Sequence, residues 1–287
     1  MENRKENPLV SLILATIGRT VEVEQFLHSL DRQSYRPFEL IVVDQNPDDR
    51  LNPILSRFEK AFPILHLRSS PGLSRARNFA LPYIHGSIVG FPDDDCVYPA
   101  NVLENVVQFF SRFPQYSGVS GRVRFFEGRG IGRFSRDPGE INPYNIWFRV
   151  TSFTLFLRSE LLWKTGGFDE SLGVGSGTPW GSSEDIDLPL RAMRKGERLY
   201  YNPEIVVEHP YQLTSLKGAW RRGLSYGRGI GRVLRIHAYP PWFIAYHLFR
   251  SCGGITFSLL RGKGAELIFY IGNLLGKAQG VTLSTGE

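Results

Sequence analysis

The N-terminal third of the chain alternates short apolar runs with stretches of helical spacing. Leu9-Val10-Ser11-Leu12-Ile13-Leu14-Ala15 reads as a strand. Val21 to Leu30 reads as a helix with Val23, Phe26, Leu27 and Leu30 on its apolar side. Glu39-Leu40-Ile41-Val42-Val43 is a second strand, and Pro53 to Phe62 is a helix opened by proline. Ile64 to Leu67 is a third strand, Gly72 to Ile84 a helix, and Ile88 to Phe91 a fourth strand. Strands that alternate with helices predict a parallel, doubly wound sheet. Polar residues stand at the ends of the strands. That places Thr16, Asp44 and the acids from Asp93 onward on one carboxyl edge, where such sheets bind ligands.

After residue 115 the pattern changes. Val119 to Phe126 alternates like an antiparallel strand, Glu127 to Pro143 reads as a loop, and Phe153 to Leu157 as a strand. Gly173 to Ser183 is too rich in Gly and Ser for regular structure and reads as a flexible surface loop. A helix follows over Glu184 to Lys195, with Ile186, Leu188, Leu190 and Met193 as its apolar positions. Trp242 to Leu260 is apolar and aromatic, but His247 and Arg250 interrupt it. No uninterrupted run reaches the roughly 20 residues of a transmembrane helix. Two readings stand for this segment: a helix packed on the domain, or an interfacial helix with basic anchors.

Charge sharpens that division. The chain of 287 residues carries a net +6, which suits one large domain with an appendage. From Ser215 onward ten Lys and Arg face two acids, so this tail holds +8 and the remainder −2. A basic tail can meet nucleic acid, anionic lipid or an anionic substrate. A nucleic-acid binder should interleave basic and aromatic residues over a recognition surface. Here the candidate cleft is acidic, which argues against nucleic acid and for lipid or a lipid-diphosphate acceptor. The polar start, Met1 to Pro8, has no apolar signal core, so the cytoplasm is the expected compartment. Cys96 and Cys252 show neither zinc spacing nor a disulfide framework.

The chemistry concentrates at Phe91-Pro92-Asp93-Asp94-Asp95, where a buried strand runs into three carboxylates. Unpaired buried charge is costly, so the acids belong at the strand's end. Clustered there, they repel one another unless a cation such as Mg²⁺ or Mn²⁺ joins them, commonly with a substrate diphosphate. A solvated acidic turn is the plainer reading. Glu184-Asp185, at a helix start beside the Gly-rich loop, is a candidate general base, because backbone N–H groups and the helix dipole hold a carboxylate ionised. The same pair also reads as simple helix caps.

Taken together these residues resemble family 2 glycosyltransferases of the GT-A fold, over roughly Pro8 to Tyr211. The carriers are Val10 to Thr16 with Gly18-Arg19, Leu30 to Tyr35 leading into Glu39 to Asp44, and Gly72 to Asn78. They continue with Asp93-Asp94-Asp95 as a DXD-type motif, Gly166 to Glu170, and Glu184-Asp185 followed by Arg191 and Gly196. The resemblance implies an α/β fold, with a Rossmann-like, mostly parallel sheet flanked by helices and a C-terminal helical extension. It implies a catalytic domain over 1–214, a nucleotide-sugar half to about 115 and an acceptor half beyond it, then the extension over 215–287. It also implies an inverting, metal-dependent transfer of a sugar from a nucleoside-diphosphate-sugar to a hydroxyl of a saccharide or lipid-linked acceptor. Such a reaction serves cell-surface polysaccharide or glycolipid synthesis at the inner face of the plasma membrane, with peripheral membrane contact.

Carried over residue by residue, Thr16, Arg19, Asp44 and Gln45 would line the nucleoside pocket, and Arg77 would approach the donor. Asp93, Asp94 and Asp95 would hold Mg²⁺ or Mn²⁺, with Asp93 also on the donor and His209 as a further metal or phosphate contact. Asp185 would be the general base with Glu184 beside it, and Trp180 would offer a ring face to the acceptor. Many members carry a second acid after the second strand, and that acid reads the uracil N3–H; this chain has Gln45 there. A glutamine carbonyl still accepts that bond but carries no charge. UDP, dTDP and GDP therefore all stand as donor nucleotides. A sugar-nucleotide nucleotidyltransferase is the rival enzyme class, but it needs a Gly-rich triphosphate loop where this chain has Ala15-Thr16-Ile17-Gly18-Arg19.

Overall fold

The computed structural model describes residues 7–126, 135–210 and 215–283. The chain forms two compact units. One takes the residues up to Pro71, Arg75–Gly167 and Leu188–Tyr211; the other takes Gly72–Ser74, Phe168–Asp187 and the residues from Gln212 onward. The tail expected from 215 thus shares its unit with Gly72–Ser74 and with the Gly-rich loop. Tyr211, where the family resemblance ends, lies outside the described residues.

The first unit is built on an eight-stranded sheet. Its strands are β1 (Val10–Thr16), β2 (Phe38–Asp44), β3 (Ile64–Arg68), β4 (Ile88–Gly90), β5 (Gly118–Phe125), β6 (Gly139–Ile141), β7 (Leu155–Arg158) and β8 (Leu199–His209). Their spatial order is β3-β2-β1-β4-β7-β5-β8-β6. β1 pairs in parallel with both β2 and β4, and β2 with β3. The parallel half predicted from the apolar runs is therefore present, and β1 is buried along its whole length, as a strand covered on both faces must be. Helices α1 (Val21–Asp31), α2 (Asn52–Leu55), α3 (Leu73–Ala80), α4 (Val102–Arg112), α5 (Ser159–Thr165) and α6 (Glu184–Arg194) follow the strands or connect them. One sheet face packs Val10, Leu12, Leu14, Leu40 and Val42 against Phe26, Leu27 and Leu30 of α1 and Leu103, Val106 and Phe110 of α4.

β7 runs antiparallel to β4 and to β5, and β5 runs parallel to β8. Two reversals restore the original direction, so β8 ends on the same edge as β1, β2 and β4. A register shift between Ser120 and Arg122 leaves extra β8 residues around Asn202 and Pro203, and Gly121 sits there against the Ile205 carbonyl, where any Cβ would clash.

Several sequence expectations change. The helix expected over Pro53 to Phe62 is a single turn, Asn52–Leu55, continued by turns. The Ser56 hydroxyl donates to the Asn52 carbonyl at 2.8 Å, and Phe58 and Phe62 reach the core from those turns. Gly72 to Ile84 is helical only over Leu73–Ala80, with a 3-10 turn at Leu81–Tyr83 around Pro82. The strand starting at Phe153 starts instead at Leu155, after a 3-10 turn at Ser152–Thr154. Of the loop expected over Glu127 to Pro143, residues 127–134 lie outside the described ones, and Gly139–Ile141 is strand β6 against β8. The strand near Val119 has both an antiparallel and a parallel neighbour.

The second unit holds α7 (Leu216–Ile236), α8 (Pro241–Leu260) and α9 (Gly264–Thr282). Ser215 caps α7, its hydroxyl accepting from the Gly218 amide at 3.1 Å. Gly223, Gly227 and Gly231 of α7 face Gly272, Gly276 and Gly280 of α9. A Cβ at Gly227 would meet the Asn273 carbonyl, and one at Gly276 the Leu224 carbonyl. Glycine every fourth residue lets two backbones touch along one stripe. Within the Gly-rich loop of this unit, Gly173 N–H donates to the Trp180 carbonyl at 2.9 Å, and Ser74 Oγ donates to the Leu172 carbonyl at 2.7 Å. Among the described residues no helix is long and apolar enough to cross a membrane.

Candidate metal and donor site

At the carboxyl edge of the first unit, Thr16 ends β1 in register with Asp44, which ends β2. Asp44 is fully buried and accepts from the Asn46 amide at 2.8 Å and from Asn46 Nδ2 at 2.7 Å, with His66 Nε2 at 3.1 Å. Asn46 Oδ1 in turn accepts from Gly18 N–H at 2.7 Å, tying the turn after β1 to the turn after β2. Gly18 has φ of +75°, a left-handed conformation that suits glycine. Gln45 is buried, and its Nε2 lies 3.4 Å from the Thr16 carbonyl.

The three acids after β4 divide their contacts. Asp94 accepts from Thr16 Oγ1 at 2.7 Å and from Arg19 at 2.5 Å. Asp95 faces Arg19 at 2.7 Å and His209 Nε2 at 3.0 Å. Asp93 accepts from Ser152 Oγ at 3.2 Å and from the buried Arg77 at 3.3 Å. His209 stacks on Phe153, with ring centroids 4.6 Å apart, and its Nδ1 donates to the Pro210 carbonyl at 2.7 Å. That bond turns Nε2 toward the acids. The segment after the triplet is anchored too. Val97 and Glu208 exchange backbone hydrogen bonds at 2.8 and 3.0 Å, and buried Gln33 Nε2 donates to the Tyr98 and Pro99 carbonyls.

Burial pushes the Asp94 carboxyl up to about 6; Arg19 and Thr16 oppose this, while Asp93 and Asp95 add to it. Burial also acts to raise Asp95, but hydrogen bonds and charge from His209 and Arg19 outweigh it and hold Asp95 below the usual carboxylate range. Burial acts to lower His209, and the Asp95 and Asp93 carboxylates reverse that, raising it. The opposite directions at Asp94 and Asp95 reflect their partners: His209 serves only one of them.

Asp93, Asp95 and His209 can each offer one ligand atom, all within 4.8 Å of one another. Two carboxylates and an imidazole suit a divalent cation, and the nitrogen favours Mn²⁺ over Mg²⁺ within that class. The residues present therefore fit Mg²⁺ or Mn²⁺. Asp94 stands apart, held by Thr16 and Arg19.

Glu184, Asp185 and Trp180 lie in the second unit. Glu184 and Asp185 open α6, where the Ile186 and Asp187 amides donate to the Ser183 carbonyl at 3.2 and 2.9 Å. Ser183 holds φ at +71°, a conformation that side chains other than glycine rarely adopt. Glu184 is buried and Asp185 half-buried. Trp180 is buried, with the Arg232 guanidinium 5.5 Å from its ring centre, so the face expected to meet an acceptor is occupied by a cation in this conformation. Sequence reasoning missed Ser152, Asn46 and His66 around the acids, and the buried pair of Asp187 with His237 at 2.8 Å. Asn46 had a signal, since it follows Asp44-Gln45; Ser152 had none.

The family model for glycosyl transferase family 2 matches residues 11–166, and the chain belongs to that family. Its fold is that of the GT-A glycosyltransferases. A mannosyltransferase, PcManGT from Pyrobaculum calidifontis in complex with GDP-Man and Mn²⁺, superposes with a TM-score of 0.68 at 16% identity, covering 97% of this chain and 88% of that one. S. aureus TarS 1-349 in complex with UDP-GlcNAc superposes with a TM-score of 0.63 at 16% identity, covering 92% and 90%. In sequence the chain is 32% identical over 135 residues to the putative teichuronic acid biosynthesis glycosyltransferase TuaG of Bacillus subtilis (strain 168), covering 46% of this chain and 54% of that protein. It is 27% identical over 243 residues to the beta-monoglucosyldiacylglycerol synthase of Synechocystis, covering 75% and 47%. The aligned regions span about a third to a half of the curated relatives they match.

Proposed function

We propose that the chain is an inverting, metal-dependent glycosyltransferase. It would move a sugar from a nucleoside-diphosphate-sugar to a hydroxyl of a saccharide or lipid-linked acceptor, in cell-surface polysaccharide or glycolipid synthesis. The observation that carries this reading is the group of Asp93, Asp95 and His209 at the sheet edge beside Thr16 and Arg19, its two acids inside the matched family 2 region. Membership in the family and the glycan- and glycolipid-synthesising names of the relatives support it. On the same support the reaction belongs at the inner face of the plasma membrane, with the chain peripheral to it.

Asp93, Asp95 and His209 would hold Mg²⁺ or Mn²⁺, which when bound neutralises charge on the donor diphosphate. Thr16, Arg19, Asp44 and Gln45 would receive the nucleoside, with UDP, dTDP and GDP as candidate bases, and Arg77 would hold Asp93 in place near the donor. Arg19, paired in this structure with Asp94 and Asp95, is a cation within reach of the same acids and so a natural phosphate contact. Asp185 would take the proton of the acceptor hydroxyl. The acceptor oxygen then bonds to the anomeric carbon as the bond from that carbon to the diphosphate breaks, and the nucleoside diphosphate leaves with the electron pair. A single in-line displacement inverts the anomeric centre. Glu184 stands beside the base, and Trp180 would meet the acceptor once Arg232 leaves its ring.

The test is release of nucleoside diphosphate from UDP-, dTDP- and GDP-sugars with Mn²⁺ and a panel of saccharide and lipid-linked acceptors. Turnover with one nucleotide class is expected. Asp185→Asn should lower kcat by 10²- to 10⁴-fold while leaving donor binding unchanged. Equal turnover by Asp185→Asn would remove Asp185 from the base role.

A further inference from the structure

Two helices of the second unit, α8 and α9, bury polar side chains and glycine and turn apolar side chains outward. On α8 the buried positions are Phe243, His247, Ser251 and Ser258, and on α9 they are Gly272, Asn273, Gly276, Lys277 and Gly280. Lys277 Nζ donates to the His247 carbonyl and to Ser251 Oγ, both at 2.9 Å, and Ser251 Oγ donates to Asn273 Oδ1 at 3.1 Å. A water-facing helix shows the reverse polarity. Among the exposed positions of α8, Trp242, Tyr246, Phe249, Gly253, Phe257 and Leu260 fall on one stripe at 3.6 residues per turn, with Thr256 at its edge. Trp242 is 62% exposed, Phe249 73% and Leu260 81%. Contiguous exposed apolar surface of this kind marks a contact with a partner or a membrane.

We infer that this stripe docks α8 in the plane of an anionic lipid surface. Charge decides between occupants. The Arg250 guanidinium lies 5.9 Å from the Tyr246 ring centre and that of Arg261 4.1 Å from the Phe257 ring centre, so cations flank the aromatic stripe itself. Lys263 follows at the end of α8, and the only acid of α9 is Glu266, bonded to Lys263 at 2.8 Å. Aromatics in a row with guanidinium groups beside them match the boundary between acyl chains and anionic headgroups. A second copy of this surface would set like charges against each other. No described helix is long and apolar enough to cross a bilayer, so α8 lies on the membrane. The inference rests on this polarity inversion and not on the donor chemistry.

The test is flotation of the full chain with phosphatidylcholine vesicles, with and without phosphatidylglycerol, alongside its thermal shift with nucleotide. Wild type is expected to float with the anionic vesicles and far less with the neutral ones. Trp242→Ser/Phe249→Ser/Leu260→Ser should bind anionic vesicles at least about tenfold more weakly. Its melting temperature and nucleotide response should stay unchanged, which separates this inference from the transferase reading. If the triple variant fails to fold, Phe249→Ser and Leu260→Ser singly carry the same comparison. Wild type that does not float, variants that float like wild type, or a dimer in light scattering that these substitutions dissociate without any flotation would each overturn the inference.

Discussion

His247 shows how burial sets chemistry one side chain at a time. It is nearly inaccessible on α8, and burial, with the Lys277 and Arg250 charges adding to it, lowers its pKa to about 3. In the unfolded chain a histidine titrates near 6.5. Between those values the unfolded state binds more protons than the native state, so stability is complete above about pH 6.5 and falls as the pH drops toward 3. Relative to pH 7, His247 should remove about 2 kcal/mol at pH 5. Urea midpoints of wild type and His247→Gln at pH 7 and 5 check this; equal pH dependence of the two would contradict it. At the candidate site, Thr16, Asp44 and the Asp93 triplet were legible because they end or follow apolar runs. The partnership of His209 with Asp95 was not legible from the residues themselves, since it depends on a strand far along the chain ending on the same edge. Nor was the sharing of the acids, in which Asp94 goes to Thr16 and Arg19 while Asp95 turns to His209.

Helix pairing in the second unit rests on backbone contact, and two kinds of glycine separate its contributions. Gly227 of α7 and Gly276 of α9 sit where a Cβ would strike a facing carbonyl, whereas a Cβ at Gly253 of α8 meets nothing within 4 Å. Gly227→Val or Gly276→Val should cost about 2 kcal/mol or more by forcing α7 and α9 apart. Gly253→Ala should instead stabilise by roughly 0.5–1 kcal/mol, because it removes backbone freedom from the unfolded chain without a clash. Chemical denaturation of the three variants reads both signs; destabilisation by Gly253→Ala or tolerance of Gly276→Val would contradict this packing. The apolar runs of β1, β2 and β4 were readable because a strand buried on both faces leaves an unbroken signature. β8 left none, because Asn202 and Pro203 interrupt it at the register shift. The Pro53 to Phe62 segment misled because its apolar residues meet the core from successive turns, which mimics helical spacing.

For the whole molecule, the antiparallel insertion of β7 is what the alternation of strands and helices could not reveal. It reverses direction twice between β4 and β8, and so delivers His209 to the edge where β1, β2 and β4 already end. Family membership and the order of motifs were readable in the chain, whereas the grouping of 168–187 with the tail helices arises only in the folded structure. Under the proposed function this edge would bind a nucleoside diphosphate through a divalent cation held by Asp93, Asp95 and His209. The most direct measurement is the melting temperature with UDP, dTDP, GDP and CDP, each with and without Mn²⁺. A nucleotide at a hundred times its Kd adds about 2.7 kcal/mol to native stability, a rise of roughly 4–5 °C for a chain of this length. Such a rise is expected for one nucleotide only when Mn²⁺ is present, and it should be lost in Asp95→Ala. A rise that is the same without the metal, or that survives Asp95→Ala, would contradict the proposed function.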